Sequence, residues 1–141
     1  MRSIQVHLTN AGLVGLGGTL GTLARFGIGQ LITPAWAATL TVNLLGSFLM
    51  GLLVGALSTA GNSTAARSAA LNSFAGAGFL GGFTTYSALA TDTLALTQIH
   101  GTSGILLAAG SAALGSLLAG IGFALTRHHP ADLVGETRAK S

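Results

Sequence analysis

The sequence predicts an all-α membrane protein, and three observations support this fold class. Half of the 141 residues are hydrophobic and only 6% are charged, whereas an ordinary soluble domain carries about 25% charged residues. The few charges leave three long uncharged runs, at 26–66, 68–91 and 93–126. The apolar residues occur in long blocks and do not alternate over ten-residue segments, which argues against a transmembrane β-barrel.

Four transmembrane helices are predicted from the lengths of these runs. A helix needs about 20 apolar residues to cross the hydrocarbon core, so the run 26–66 is too long for one crossing. It contains "ITPAWA", in which Pro34 favours a turn and Trp36 suits a membrane interface. A second turn signal, "QIHGTSG", lies in the run 93–126. We therefore expect a four-helix transmembrane domain at 1–126 and a polar C-terminal tail at 127–141, with helices at 9–32, 36–59, 68–97 and 103–126.

Several function classes are disfavoured by the composition and by motif spacing. The chain has no cysteine, and its net charge of +3 comes from scattered residues, so neither a thiolate metal site nor a basic nucleic-acid patch is expected. "GAGFLG" at 76–81 matches a dinucleotide-binding pattern in letters only, because it follows no strand. His128, His129 and Asp132 lack metal-ligand spacing. Nothing assembles a nucleophile with a base, so the chain is not predicted to be an enzyme.

Glycines recur at the spacing that lets helix backbones approach closely. Pairs separated by three residues occur at Gly17 and Gly21, Gly51 and Gly55, and Gly78 and Gly82. In a bilayer such pairs allow close helix packing, and we expect them to make contacts within the chain. Four thin helices enclose a pathway poorly, so a homo-oligomer or a paired homologue is also expected.

A polar stripe in the second predicted helix is the first candidate functional feature. Thr39, Asn43 and Ser47 follow one another at intervals of four residues, within about 80° around a helix. Threonine and serine hydroxyls can bond the carbonyl one turn back, whereas an asparagine amide has two donors and an acceptor to satisfy. Because polar groups are costly in hydrocarbon, Asn43 is predicted to face a pathway or a neighbouring helix.

Two charged residues lie towards the ends of predicted helices. Arg25 either extends to the membrane interface or draws anions towards an opening, and the sequence does not separate these alternatives. Asp92 lies towards the end of the third predicted helix, on the same side as Arg25. A membrane-surface position is expected for Asp92.

The stretch "GFLGGFTTYSALATD" at 78–92 disturbs the third predicted helix. "GGFTT" places two weak helix formers beside two β-branched residues near its middle. Unwound backbone at membrane depth is tolerated where it is buried in protein or lines a cavity, and its freed carbonyls can coordinate Na⁺. A carbonyl-only cation site, completed by a second subunit, is therefore a hypothesis for this stretch.

Three stretches together resemble the signature sequences of the CrcB/Fluc family of fluoride ion channels: "GGTLGTLARFGIG" at 17–29, "TLTVNLLGSFLMG" at 39–51 and the stretch at 78–92. The resemblance implies an antiparallel dual-topology dimer with two fluoride pathways. It also implies a structural, non-transported Na⁺ held by the backbone carbonyls of Gly81 and Thr84. Arg25 matches the arginine at the end of the family's first helix, at the vestibule.

The implied pore lining departs from the family pattern at one position. Family members carry "TTFSTF", with two phenylalanine rings that face the ion, where this chain has "TTYSAL". Tyr86 keeps a ring whose electropositive edge suits an anion, but Leu89 has no such quadrupole. Hydroxyl and amide donors then have to replace the hydration shell of fluoride. The implied lining comprises Thr39, Asn43, Tyr86, Ser87, Leu89 and Ser111.

The predicted function is passive export of fluoride from the cytoplasm across the cell membrane, which reduces fluoride toxicity. A small multidrug-type exporter and a non-transporting membrane assembly protein are the alternatives. With four crossings, most basic residues share a side, so both termini are predicted to be cytoplasmic. A dual-topology homodimer should have little charge bias. This bias and Leu89 favour a heterodimer with an oppositely oriented homologue over an antiparallel homodimer.

Overall fold

The computed structural model describes residues 2–59 and 65–127, and these residues form an all-helical chain without strands. The all-α prediction is thus confirmed for the described residues. The predicted tail, including His128, His129 and Asp132, lies outside them except for Arg127. The elements in chain order are α1 (Arg2–Leu31), α2 (Ala35–Thr59), α3 (Ala65–Leu71), a π-helical segment (Asn72–Leu80), α4 (Gly81–Phe83), α5 (Tyr86–His100) and α6 (Ser103–Arg127).

Three helices of the described chain are long and apolar enough to cross a membrane, at Leu8–Leu31, Ala35–Thr59 and Ser103–Arg127. They correspond within a few residues to three of the four predicted crossings. Large apolar side chains on these helices remain exposed, as lipid-facing residues do, including Leu16 and Leu106. The fourth predicted crossing, 68–97, is divided among α3, the π-helical segment, α4 and α5.

Both predicted turns are present. The α1–α2 turn contains Pro34, whose carbonyl accepts a hydrogen bond from the Ala37 N–H at 2.9 Å as α2 begins. The α5–α6 turn contains Gly101 at φ 62°, in the left-handed region where a side chain would be strained. The first turn thus connects α1 to α2, and the second connects α5 to α6.

Close backbone contacts between helices occur at all three glycine pairs. A Cβ atom at Gly51 would collide with the Ala119 carbonyl of α6, and one at Gly55 would collide with Thr126. Cβ atoms at Gly17 and Gly21 of α1 would also collide with the facing π-helical segment and α4. Cβ atoms at Gly78 and Gly82 in those elements would collide with α1. The expectation of intrachain packing is therefore confirmed.

Helical geometry stops after Phe83 and resumes at Tyr86. Thr84 (φ −79°, ψ 159°) and Thr85 (φ −149°, ψ 118°) are extended. Glycine is a weak helix former, but Gly81 and Gly82 remain helical in α4. The two threonines form the interruption, because extended backbone suits β-branched residues. The π-helical segment was not anticipated.

Candidate functional site

Thr85 in the interruption is held by the side chain of Asn43 on α2. The Asn43 Nδ2 group donates to the Thr85 carbonyl at 3.0 Å, and the Thr85 N–H donates to Asn43 Oδ1 at 2.8 Å. Thr85 is only 8% exposed, so these bonds satisfy backbone groups that water does not reach well. Asn43 thus makes a contact between helices, as predicted, while its place in an ion pathway stays a prediction.

The hydroxyl of Thr85 begins the next helix. It accepts a hydrogen bond from the Ala88 N–H at 3.2 Å and lies 3.3 Å from the Ser87 hydroxyl. A threonine at the N-cap accepts a hydrogen bond from one of the backbone N–H groups that have no partner in the first turn of a helix. Thr85 therefore uses its N–H, its carbonyl and its hydroxyl to fix the interruption.

Thr84 ends the preceding helical turn. Its N–H and its hydroxyl both donate to the Leu80 carbonyl, at 3.0 Å and 2.9 Å. Phe83, which comes just before it, is 3% exposed and stacks against Phe79 with ring centroids 5.8 Å apart. The chain is thus anchored on both sides of the interruption.

One pocket of ≈ 230 Å³ adjoins the interruption and brings together several predicted residues. Its lining comprises Asn43, Ser47, Thr84, Thr85, Tyr86 and Leu89. The Tyr86 side chain is 85% exposed. The pocket therefore combines amide and hydroxyl groups with one aromatic side chain, and Leu89 supplies an apolar wall.

A second pocket of ≈ 180 Å³ contains Arg25 together with Thr39. Thr85 lines this pocket as well as the first, so the two pockets share this residue. The guanidinium of Arg25 is the charged group among its lining residues. A positive charge inside a pocket favours anions, but both roles expected for Arg25 from the sequence stay predictions.

Ser87 and Ser111 lie outside both pocket linings. Ser87 is exposed and contacts Thr85. Ser111 is buried on α6 at 6% exposure, one turn before Gly115, where a Cβ atom would lie 3.1 Å from Ser47 Oγ. Ser111 is therefore placed near the face of α6 that meets α2.

The membrane-surface position expected for Asp92 stays a prediction, since burial within the protein does not define depth in the membrane. The residue is half-buried on α5, and its Oδ2 atom is buried without a hydrogen-bond partner among the described residues. Such an unpaired buried oxygen is rare and costly.

Thr85 is the central residue that sequence reasoning missed. A signal was present, since two adjacent threonines follow a phenylalanine in an otherwise helical stretch. Its partner Asn43 stands 42 positions earlier, and no local pattern connects the two residues. The site therefore depends on the packing of α2 against the start of α5.

The fold and the site together define a small helical membrane protein in which an asparagine of α2 bonds the extended backbone between α4 and α5. The family model described as "CrcB-like protein, Camphor Resistance (CrcB)" matches residues 12–125. The chain belongs to this family, which confirms the resemblance found in the sequence.

Curated relatives agree with this assignment. "Fluoride-specific ion channel FluC" of Thermus thermophilus is 47% identical over 125 residues, covering 80% of this chain and 91% of that protein. The protein of the same description from Novosphingobium aromaticivorans is 37% identical over 122 residues, covering 81% and 89%. "Fluoride-specific ion channel FluC 2" of Leifsonia xyli is 40% identical over 128 residues, covering 84% and 87%. These relatives are ion channels, which confirms that the chain was correctly predicted not to be an enzyme.

Proposed function

We propose that this chain forms a fluoride-selective channel through which fluoride leaves the cytoplasm passively, so that its toxicity is reduced. The observation that carries this proposal is the similarity to fluoride-specific ion channels over 80% of the chain. The polar pocket beside Thr85 adds chemical support, because fluoride needs hydrogen-bond donors in place of its water shell.

The donors of this pocket suit a small anion. The Asn43 amide spends one N–H on Thr85 and retains a second. Ser47 and Tyr86 add hydroxyl groups, and the ring edge of Tyr86 is electropositive. We assign the pore lining to Thr39, Asn43, Tyr86, Ser87, Leu89 and Ser111, with Arg25 attracting anions at the vestibule.

A structural Na⁺ is the second part of the proposal. In a continuous α-helix, the carbonyl of residue i accepts from the N–H of residue i+4. The Gly81 carbonyl loses this donor because the Thr85 N–H bonds Asn43. The Thr84 carbonyl loses it because the Ala88 N–H bonds the Thr85 hydroxyl. Freed backbone carbonyls are suitable Na⁺ ligands.

The described residues contain no group of three or more His, Cys, Asp or Glu that would offer a different metal site. A bound Na⁺ would supply a fixed positive charge that joins two interrupted helices. Two carbonyls from one chain are few for a cation. A second subunit offering the same pair would complete the site.

The assembly that fits these requirements is an antiparallel dimer that lies in the lipid of the cell membrane, with the interruption of each chain at mid-span and buried in protein. The partner is a second copy or an oppositely oriented homologue. Leu89, which offers no ring to an anion, and the uneven basic residues favour the homologue. If the topology is fixed, both termini are cytoplasmic.

The test is fluoride efflux from liposomes that contain the purified chain, alone or co-purified with an oppositely oriented homologue from the same genome. A fluoride electrode should record rapid release when valinomycin removes the K⁺ diffusion limit, and chloride-loaded vesicles should release little. If neither preparation releases fluoride, the channel function is wrong. Release of a cationic drug driven by a proton gradient would instead favour an exporter.

A further inference from the structure

Two side chains accept hydrogen bonds from the N–H groups that would otherwise bond the carbonyls of Gly81 and Thr84. Asn43 Oδ1 accepts the Thr85 N–H at 2.8 Å, and Thr85 Oγ1 accepts the Ala88 N–H at 3.2 Å. We infer that Asn43 and Thr85 are positioning residues that uncover these two carbonyls for Na⁺. This inference rests on the sodium site of the proposed function and assigns its control to side chains that do not touch the ion.

The Asn43 amide is matched to this task because it both donates and accepts. Its two bonds to Thr85 close a ring between α2 and the interruption. Neither leucine nor serine reproduces this pair, since leucine has no polar atom and the serine hydroxyl is shorter and has one donor. The same amide keeps one N–H for the pocket, so loss of conduction in an Asn43 variant does not by itself identify an ion ligand.

Removal of Asn43 Oδ1, which accepts the Thr85 N–H, has a defined structural consequence. Thr85 is buried, and its N–H needs a partner because a buried unpaired donor is costly. The nearest alternative in sequence is the Gly81 carbonyl, which is its usual helical acceptor. In Asn43→Ala, the helix therefore extends by one bond and the Gly81 carbonyl is no longer free for a cation.

The first measurement is the melting temperature of the purified full-length chain as Na⁺ is added. The midpoint is the Na⁺ concentration that gives half of the maximal rise in melting temperature. The assay contains no fluoride, and N-methyl-D-glucamine replaces Na⁺. Asn43→Ala and Thr85→Val should raise this midpoint roughly tenfold or more, since each returns a donor to a liganding carbonyl. Thr85→Ser, which keeps the hydroxyl, should restore the wild-type midpoint.

Two further variants act as controls. Thr41→Val removes an exposed hydroxyl of α2 that bonds only the Ala37 carbonyl at 2.8 Å, and its midpoint should equal that of the wild type. Asn43→Asp keeps an acceptor for the Thr85 N–H, so its midpoint should stay at or below the wild-type value. A purely structural role would lower the melting temperature at every Na⁺ concentration without moving the midpoint.

The second measurement follows the Gly81 carbonyl directly in the absence of Na⁺. Glycine labelled with ¹³C at the carbonyl and with ¹⁵N gives bonded carbonyl–amide pairs only at adjacent glycines, which are Gly17–Gly18 and Gly81–Gly82. In Asn43→Ala, the Gly81 carbonyl signal should move towards the value of a hydrogen-bonded helical carbonyl. The Gly17 signal serves as an internal control and should not move.

The outcomes separate the two proposals. A wild-type chain whose stability does not respond to Na⁺ overturns the sodium site and, with it, this inference. A Na⁺-responsive wild type with an unchanged midpoint and an unmoved Gly81 signal in Asn43→Ala overturns the inference alone. If Asn43→Ala does not fold, Thr85→Val and Thr85→Ser decide the question through the Thr84 carbonyl.

Discussion

The contact between α2 and α6 and the contact between α2 and the interruption differ in how much they depend on hydrogen bonds. Along α6, the backbone comes so close to Gly51 and Gly55 that a Cβ atom at either position would collide with it. At the interruption, Asn43 holds Thr85 with two hydrogen bonds. The first contact depends on the absence of side chains. The second adds one specific side chain, Asn43, to a close approach at Gly46, where a Cβ atom would collide with Thr84. One helix thus provides both a close-packed support and a polar site.

The largest expected effect is on the close-packed contact. Gly51→Ala places a methyl group against the Ala119 carbonyl, and overpacking of this kind costs about 1–3 kcal/mol. The melting temperature in detergent should fall accordingly. Gly120→Ala on α6 is the matched control, because no atom lies within 4 Å of the added Cβ. Its melting temperature should equal that of the wild type. Equal melting temperatures for the two variants would contradict the role of glycine packing.

The next largest effect is expected at Arg25, which lines the pocket that shares Thr85 with the polar site. Arg25→Gln removes the positive charge from the pocket that also contains Thr39, so fluoride efflux at low ionic strength should fall by about tenfold. Fold stability should change little. The deficit should shrink as an inert salt is added, because salt screens the attraction. A deficit that does not depend on salt would assign Arg25 a role other than attraction of anions.

A smaller effect is expected at the position where the family pattern is broken. Leu89→Phe adds an aromatic ring to the wall of the pocket beside Thr85, and its edge should raise fluoride efflux by a factor of about 2–10. Leu94→Phe adds the same ring to an exposed position of α5 and is the control. If both variants conduct like the wild type, a ring at position 89 is not limiting.

The smallest effect is expected at Asp92. Asp92→Asn replaces a half-buried carboxylate, whose Oδ2 atom has no partner among the described residues, by a neutral amide. The free energy of unfolding should rise by about 1 kcal/mol, because the cost of the unpaired charge is removed. Chemical denaturation in mild detergent measures this change. A lower stability would instead indicate that Asp92 has a favourable partner in the assembled protein.

The sequence alone determined the features that depend on local composition. The three long helices follow from apolar runs whose length matches the hydrocarbon core, and the turns follow from Pro34 and Gly101. The glycine pairs predicted close contacts because their spacing places both residues on one helix face. The cost of an amide in hydrocarbon was enough to single out Asn43.

Only the tertiary structure decided which residue Asn43 contacts and where the helix is interrupted. Thr85 became the centre of the site because Asn43, 42 positions earlier, accepts its N–H and donates to its carbonyl. The interruption therefore lies at the threonines, although glycine is the weaker helix former. The partial burial of Asp92 likewise depends on how the helices pack around it. Local propensity cannot specify such contacts, because the free energy of a buried polar group depends on partners that folding brings near.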